Sequence, residues 1–391
     1  MAPVFSDRQR FDVSPSSGEP MYAFLDRVAG PVWDRIRHLI EAWANDYSPD
    51  GRADVLRRLQ SREDLEFLGA YWELFLFHGL RALGFDVTCH PEVRGTTRRP
   101  DFLVEGSQCS FLLEAKVLGD DHAVRMRDKR RAQIEDGLNA RVTSNNVTVQ
   151  LQFEKDGTQQ APIGQLAADA QAWLDALDLA HVRQQSYVAG LSGATPLIWQ
   201  DERSGWRIAL TPMPWRSSRG GRRIVGVVGP HAAWIDDMTP IRKSLYRKTH
   251  KYGDKLGKPF VVALGMHRPF ADDTDLLDAL FGDDVYQFDP STGDGKSARK
   301  SNGLLIGQSR RLSAVLVSKN VAPWSTAKTS LALWKNPAAT FPLRCDGGGV
   351  ITITDPQDDG SLATTAATVS TGELLGLALD WPGPEPPFAR D

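Results

Sequence analysis

Residues 100–116 read PDFLVEGSQCSFLLEAK, a stretch in which charged side chains interrupt two segments that have the pattern of buried strands. The segment 111–118 alternates with period two, so Glu114 and Lys116 share one face of the predicted strand. A buried charge is unfavourable unless it is paired or binds a metal. Asp101, Glu114 and Lys116 therefore predict a divalent-metal site.

The predicted elements around this stretch follow the order helix, strand, strand, strand. A helical pattern covers residues 62–83, and strands are predicted over 85–92, 101–105 and 111–118. The predicted helix is apolar on almost every side, which makes the carboxylate of Glu73 unusual in that position. Glu73 therefore joins the candidate site residues.

Pro100-Asp101, Glu114-Ala115-Lys116 and the upstream acidic helix together resemble the PD-(D/E)XK nuclease superfamily over residues 62–118. The resemblance implies an α/β fold with a restriction-endonuclease-like core: helix, three strands, helix, strand, in a mixed sheet flanked by helices. Helical N-terminal and mixed C-terminal extensions would surround this core. Its last helix and strand are either the unit 121–153 or the unit 240–264, and the sequence leaves both open.

The resemblance also implies a chemistry, the Mg²⁺- or Mn²⁺-dependent hydrolysis of nucleic-acid phosphodiesters. Asp101 and Glu114 would be metal ligands, with the backbone carbonyl of Ala115 and a direct or water-mediated contact from Glu73 completing the set. Lys116 would orient or deprotonate the attacking water, its pKa lowered by burial and by the cation. An endonuclease is expected, with DNA favoured over RNA, in restriction, repair or antiphage defence.

The domain organisation follows from composition and from the extent of the motif. Residues 1–20 are polar and rich in Pro and Ser, which predicts a flexible arm. We expect a nuclease-like domain with an insertion over 21–265 and a C-terminal extension over 266–391. The extension would shape substrate access or form a homodimer contact.

Composition restricts the environment and the partners. The 391 residues carry a formal net charge of −3, so affinity for nucleic acid has to come from a local basic surface. Cys89, Cys109 and Cys345 are far apart and have no zinc-ligand spacing, which argues against a disulfide framework and favours a reducing cytoplasm. No signal peptide or membrane span is expected.

Several basic clusters are candidates for binding phosphates. Arg98 and Arg99 directly precede Pro100-Asp101, so chain geometry places them near the expected metal and favours a substrate contact. Two helical runs are equally well explained as solvated faces: Arg125, Arg127, Lys129, Arg130 and Arg131; and Arg242, Lys243, Arg247, Lys248, Lys251 and Lys255. A more loop-like stretch could follow a nucleic-acid backbone or bind an anion through its glycines: Arg216, Arg219, Arg222 and Arg223.

Two other classes of protein fit the same residues. The first is a catalytically inactive nuclease-fold protein that binds nucleic acid or a protein partner. The second is a structural or assembly protein in which an ion pair between Glu114 and Lys116 fixes strand register. Metal binding and the partners of Glu114 distinguish these classes from an enzyme.

Overall fold

The structure is a computed structural model that describes residues 2–11, 14–94, 96–107, 109–120, 122–189, 195–214, 224–227, 238–252, 256–267, 273–288, 295–305, 309–319, 321–345, 347–357 and 362–384. The chain divides into two compact units. Unit 1 comprises Met1–Asp12, Pro20–Asp120 and Ile235–Pro386, and the described part of unit 2 lies within Val13–Glu19 and Asp121–Trp234.

Helices dominate the chain up to Ala82, and strands and helices alternate beyond it. In chain order the elements are α1 (Met21–Arg27), α2 (Pro31–Asp46), α3 (Pro49–Leu59), α4 (Asp64–Ala82), β1 (Asp86–Cys89), β2 (Phe102–Glu105), β3 (Ser110–Leu118), α5 (His122–Asn139), β4 (Val147–Lys155), α6 (Ile163–Asp175), α7 (Leu179–Ala189), β5 (Leu197–Asp201), β6 (Trp206–Pro214), β7 (Val225–Val227), α8 (Met238–His250), β8 (Phe260–Met266), α9 (Asp273–Phe281), β9 (Asp284–Phe288), β10 (Gly295–Arg299), β11 (Ala314–Ser318), β12 (Leu331–Lys335), β13 (Ile351–Pro356), β14 (Leu362–Thr365) and α10 (Thr371–Leu374). A 3₁₀ helix, Pro323–Lys328, lies between β11 and β12.

Unit 1 contains a mixed eight-stranded sheet in the order β1-β2-β3-β8-β11-β12-β13-β14. Strands β1, β2 and β3 pair antiparallel, whereas β8 lies parallel to both β3 and β11. The helix–strand unit next to β3 is therefore α8 with β8, one of the two units that the sequence leaves open. The nearer unit belongs elsewhere, because β4 pairs with β6 and β7.

The two faces of this sheet are covered by different helices. On one face, Trp72 of α4 donates from its indole nitrogen to the carbonyl oxygen of Ala263 in β8 at 3.0 Å. On the other, Leu112 and Leu118 of β3 belong to a buried cluster with Leu245 of α8. Helix α4 is buried almost all round, as its apolar composition predicts, because helices also cover the side that faces away from the sheet.

Unit 2 has a four-stranded sheet in the order β5-β6-β4-β7. A hairpin between residues 206–212 and 223–228 is expected from the sequence, and that prediction is wrong. Strand β6 pairs antiparallel with β4 and β5, while β7 pairs parallel with β4. Strand periodicity identifies both segments but does not specify their partners.

Several segments differ from the sequence-based expectations. Val4 and Phe5 are buried and the backbone amide of Ser6 donates to Asp26 at 2.7 Å, so this part of residues 1–20 is packed rather than a free arm. The expected boundary between residues 265 and 266 falls inside β8, and β11 to β14 continue the same sheet, while β9 and β10 pair in a separate two-stranded sheet. Helix α3 and strand β10 are additional elements that the pattern does not reveal.

One disulfide bond joins Cys109 to Cys345, with 5.7 Å between their Cα atoms. It contradicts the expected absence of a disulfide framework. Spacing in the sequence cannot reveal this pair, since the 236 residues between the two cysteines are brought together only by the fold. Disulfides persist mainly in oxidising compartments, so the bond removes the basis on which a reducing cytoplasm was expected. No helix in the described part of the chain has the length and apolar character required to cross a membrane.

Candidate functional site

Antiparallel pairing of β2 with β3 brings Asp101 beside the middle of β3. Phe102 lies opposite Leu113, so the residue that precedes β2 faces the Glu114-Ala115 peptide. The Ala115 amide donates to Oδ2 of Asp101 at 2.7 Å. This bond ties the Asp101 carboxyl to the strand that carries Glu114.

Glu114 is completely buried and is surrounded by hydrogen-bond donors from the end of α8. Its Oε1 accepts from the ammonium groups of Lys248 and Lys251, the second at 2.7 Å, and its Oε2 accepts from the hydroxyl of Tyr252. Burial alone would raise the pKa of Glu114, but the Lys248 charge and the hydrogen bonds outweigh burial and lower it. Glu114 is therefore an ionised carboxylate neutralised by two lysines.

The ammonium of Lys248 also lies 3.4 Å from the carbonyl oxygen of Ala115. Lys248 thus contacts both the carboxylate and the main-chain oxygen that the motif assigns to a metal ion. The structural-protein alternative proposes an ion pair that only fixes the register of β3. The buried ion pair between Lys248 and Glu114 instead joins β3 to α8.

Asp101 has a different protonation preference from Glu114. Burial and then the charges of Glu114 and Glu73 raise its pKa to about 7, against the opposing effects of Lys248 and the Ala115 amide. Three carboxyl groups therefore influence one another electrostatically at this end of the sheet. A cation close to Asp101 would favour its ionised form.

Glu73 lies in the middle of α4 and is only 3% exposed. Its Oε1 accepts from the hydroxyl of Tyr47 and its Oε2 from the guanidinium of Arg58, both at 2.5 Å. Burial alone would lower the pKa of Arg58, but the Glu73 charge outweighs it and raises that pKa. Burial and Glu73 both raise the pKa of Tyr47. Both carboxylate oxygens of Glu73 therefore have partners from the neighbouring helices.

Lys116 lies on β3 two residues beyond Glu114, and its side chain is exposed. The prediction that Lys116 is buried is wrong, because a period-two pattern identifies the face of a strand but not how far the covering helix extends. The lysines that donate to Glu114 from the end of α8 and the turn after it are Lys248 and Lys251.

The two arginines before Asp101 are both exposed and close to the site. Arg98 donates to the carbonyl oxygen of Lys251 at 2.9 Å, and Arg99 pairs with the highly exposed Glu92 at 2.6 Å. The carbonyl oxygen of Arg99 is 3.1 Å from the Tyr252 hydroxyl. These contacts link the expected phosphate-binding segment to the end of α8.

The basic cluster of α5 contains arginines that pair with acidic residues. Arg127 pairs with Asp128 and Arg131 with Asp156, which is typical of a solvated face. The stretch that contains Arg216, Arg219, Arg222 and Arg223 lies outside the described residues, as does Lys255.

The donor atoms of Asp101, Glu114 and the Ala115 carbonyl fit a hard divalent cation chemically, since Mg²⁺ and Mn²⁺ prefer oxygen ligands. An ion bound by Glu114 and Ala115 would replace the contacts that Lys248 makes with them. Glu73 is held by Arg58 and Tyr47, and among the described residues no group of three His, Cys, Asp or Glu side chains is arranged to hold a metal. Of the expected set, Asp101, Glu114 and the Ala115 carbonyl therefore remain as candidate direct ligands, while both oxygens of Glu73 are already in hydrogen bonds.

Sequence reasoning missed five residues that contact the two glutamates. Lys248, Lys251 and Tyr252 lie 134 to 138 residues from Glu114, and the only signal for them was the basic run beginning at Arg242. Tyr47 and Arg58 carried no signal beyond their proximity in sequence to Glu73.

No family model, no curated protein and no solved structure matches this chain.

Proposed function

We propose that this protein is a metal-dependent nuclease that hydrolyses nucleic-acid phosphodiester bonds, with DNA the favoured substrate. The observation that carries the proposal is the Asp101–Glu114 pair, held together by the Ala115 amide with the pKa of Asp101 raised to about 7. Perturbed pKa values cluster at functional sites, and a cation shared by two carboxylates would favour the ionised form of both. The element order α4, β1, β2, β3, α8, β8 further supports a PD-(D/E)XK relationship.

Each residue of the site has a distinct role in this proposal. Asp101, Glu114 and the Ala115 carbonyl would hold the ion, which would neutralise charge on the phosphate oxygens. Lys248 and Lys251, released from Glu114, would remain beside the phosphate as cationic donors. Lys116 is exposed on the same face of β3 as Glu114, where it is accessible to substrate and can orient water.

Cleavage of circular nucleic acids tests the proposal directly. Circular single- and double-stranded DNA and circular RNA would be incubated with the protein in Mg²⁺, Mn²⁺ or EDTA. We expect ion-dependent opening of circles, abolished in Asp101→Asn and Glu114→Gln and retained in Arg57→Met, which alters an exposed residue of α3. Opening in EDTA, or equal cutting by Asp101→Asn, would refute it.

A specific observation supports a second candidate, an inactive nuclease-fold protein that binds nucleic acid or a protein partner. Two lysines and a tyrosine already satisfy both oxygens of the Glu114 carboxylate, which is a stable arrangement without an ion. Calorimetric titration with Mn²⁺ separates the two candidates. Binding that disappears in Glu114→Gln supports the enzyme, and its absence in the unaltered protein supports the inactive form.

A further inference from the structure

Helix α8 presents three differently composed faces. Ile241, Leu245 and Thr249 are buried in unit 1, and Lys248 reaches Glu114 from a second side. A third, outward face carries four side chains at helical spacing, and all of them are exposed: Lys243, Tyr246, Arg247 and His250. Lys248 and this outward face thus belong to the same helix.

The outward face carries an ordered aromatic pair. The rings of Tyr246 and His250 stack with centroids 4.0 Å apart and an interplanar angle of 30°. Nδ1 of His250 lies 2.8 Å from the Tyr246 carbonyl oxygen, a contact that fixes the orientation of the imidazole. Tyr246 is nevertheless 55% exposed, which is high for an aromatic side chain. An ordered ring with an exposed surface is suited to stacking against a planar ligand.

Two exposed cations flank this pair. Within the described residues, neither Lys243 nor Arg247 has an ion pair, whereas Arg242 is held by Asp283 at 2.7 Å. Lys243, Tyr246 and Arg247 line a groove of about 280 Å³ together with Arg242 and Leu304. Because the whole chain has a net charge of −3, this concentration of positive charge is local.

The combination favours one class of ligand. Cations in a groove attract phosphates, and an exposed aromatic ring stacks on a base that has no partner of its own. Bases in a duplex are already stacked on their neighbours and cannot offer a face to Tyr246. An acidic peptide would satisfy the cations but would leave the aromatic pair unused.

We propose that the outward face of α8 binds a single strand of nucleic acid, with an unpaired base stacked on Tyr246 and phosphates bound by Lys243 and Arg247. A strand held there would lie on the helix whose Lys248 contacts Glu114. Binding at this face needs no hydrolysis, so it can be tested separately from the nuclease activity.

Fluorescence anisotropy in EDTA measures this binding without cleavage. Labelled single-stranded DNA and RNA of about 20 nucleotides would be compared with a duplex of the same length and with polyglutamate as a competitor. We expect tighter binding of the single strands than of the duplex, and a fall in affinity of about 5- to 150-fold in Tyr246→Ala. Tyr246→Phe, which keeps the ring, should bind like the unaltered protein.

Charge variants and crosslinking complete the test. Lys243→Ala and Arg247→Ala should each weaken binding and reduce the slope of log affinity against log salt by about one, whereas Lys155→Ala, an exposed lysine of β4, should change neither. Ultraviolet crosslinking of a strand that contains 5-iodouracil should label the Tyr246 peptide. Three results would overturn the proposal, whether or not the protein cleaves DNA. They are unchanged affinity in Tyr246→Ala, duplex binding as tight as single-strand binding, and competition by polyglutamate as strong as competition by an unlabelled single strand.

Discussion

The surroundings of the two buried glutamates, Glu73 in α4 and Glu114 in β3, look alike but are built differently. Each carboxylate accepts hydrogen bonds from a tyrosine and from basic side chains. The partners of Glu73 are 15 and 26 residues away, in and beside α3, and its cation is an arginine. The partners of Glu114 are 134 to 138 residues away at the end of α8, and its cations are two lysines.

This difference separates a fixed charge from an exchangeable one. The planar guanidinium of Arg58 is preorganised for a carboxylate, whereas a lysine ammonium is a point charge on a flexible stem. Exposure differs little between the Arg58 side chain, at 20%, and the Lys248 side chain, at 23%, so the flexible stem is what allows a lysine to leave Glu114 to another cation. We therefore expect Glu73 to matter mostly for stability and Glu114 mostly for binding.

The largest effect is expected from removing the fixed charge. Arg58→Met leaves Glu73 buried with Tyr47 as its remaining partner, and we expect the free energy of unfolding to fall by about 3–5 kcal/mol. Urea unfolding followed by circular dichroism measures the change. Arg57→Met, which removes an exposed arginine paired with Asp54, should stay within about 0.5 kcal/mol of the unaltered protein. Equal stability of the two variants would show that the ion pair between Arg58 and Glu73 does not stabilise the fold.

The next effect is a pH dependence caused by Asp101. Its pKa is raised to about 7 in the folded chain, so the protonated carboxyl is the form that favours folding. This contribution to stability is complete at pH values below the ordinary pKa range of a carboxyl group, and it is lost as the pH rises through about 7. Glu114 has a lowered pKa, and its contribution is lost only as pH falls below the ordinary carboxyl range. Asp101→Asn should therefore gain about 2–4 kcal/mol relative to the unaltered protein between about pH 4 and pH 8. Parallel pH profiles of the two proteins in urea unfolding would contradict this assignment.

A smaller loss of stability is expected when the exchangeable charge is removed. Lys248→Met should lower the free energy of unfolding by about 1–3 kcal/mol, because Lys251 and Tyr252 still contact Glu114. The same change removes the cation that competes for Glu114 and Ala115, so Mn²⁺ should bind about tenfold more tightly or better, as measured by calorimetry. Lys328→Met, at an exposed position of the same unit, is the control. Weaker Mn²⁺ binding in Lys248→Met would mean that this lysine supports the ion instead of competing with it.

What the sequence predicts correctly is local in the chain. Period-two alternation and the turn between residues 105 and 110 are sufficient to bring Asp101 beside Glu114, because the two residues lie on neighbouring strands of one antiparallel pair. The apolar pattern of α4 likewise identifies Glu73 as a buried carboxylate. Each of these inferences uses a pattern that lies within a short segment of the chain.

What could not be predicted depends on pairing across long separations. The sequence shows the same pattern, a helix followed by a strand, for α5 with β4 and for α8 with β8. Only tertiary packing shows that β8 is the strand beside β3. Lys248 could therefore be recognised only as one of several basic residues on a helix. Cys109 and Cys345 were missed for the same reason.

The smallest effect on stability, and the sharpest test of the two lysines, is expected at Lys116. Because its side chain is exposed, Lys116→Met should change the free energy of unfolding by no more than about 0.5 kcal/mol. Removing a residue that orients water should nevertheless slow the opening of circular DNA by about 10²-fold or more. Lys248→Met should alter stability and ion binding together, so the two variants separate a lysine that acts on substrate from one that neutralises Glu114. If Lys116→Met cut DNA normally and Lys248→Met did not, the lysine of the reaction would be the one on α8, and the exchangeable charge would itself be the catalytic group.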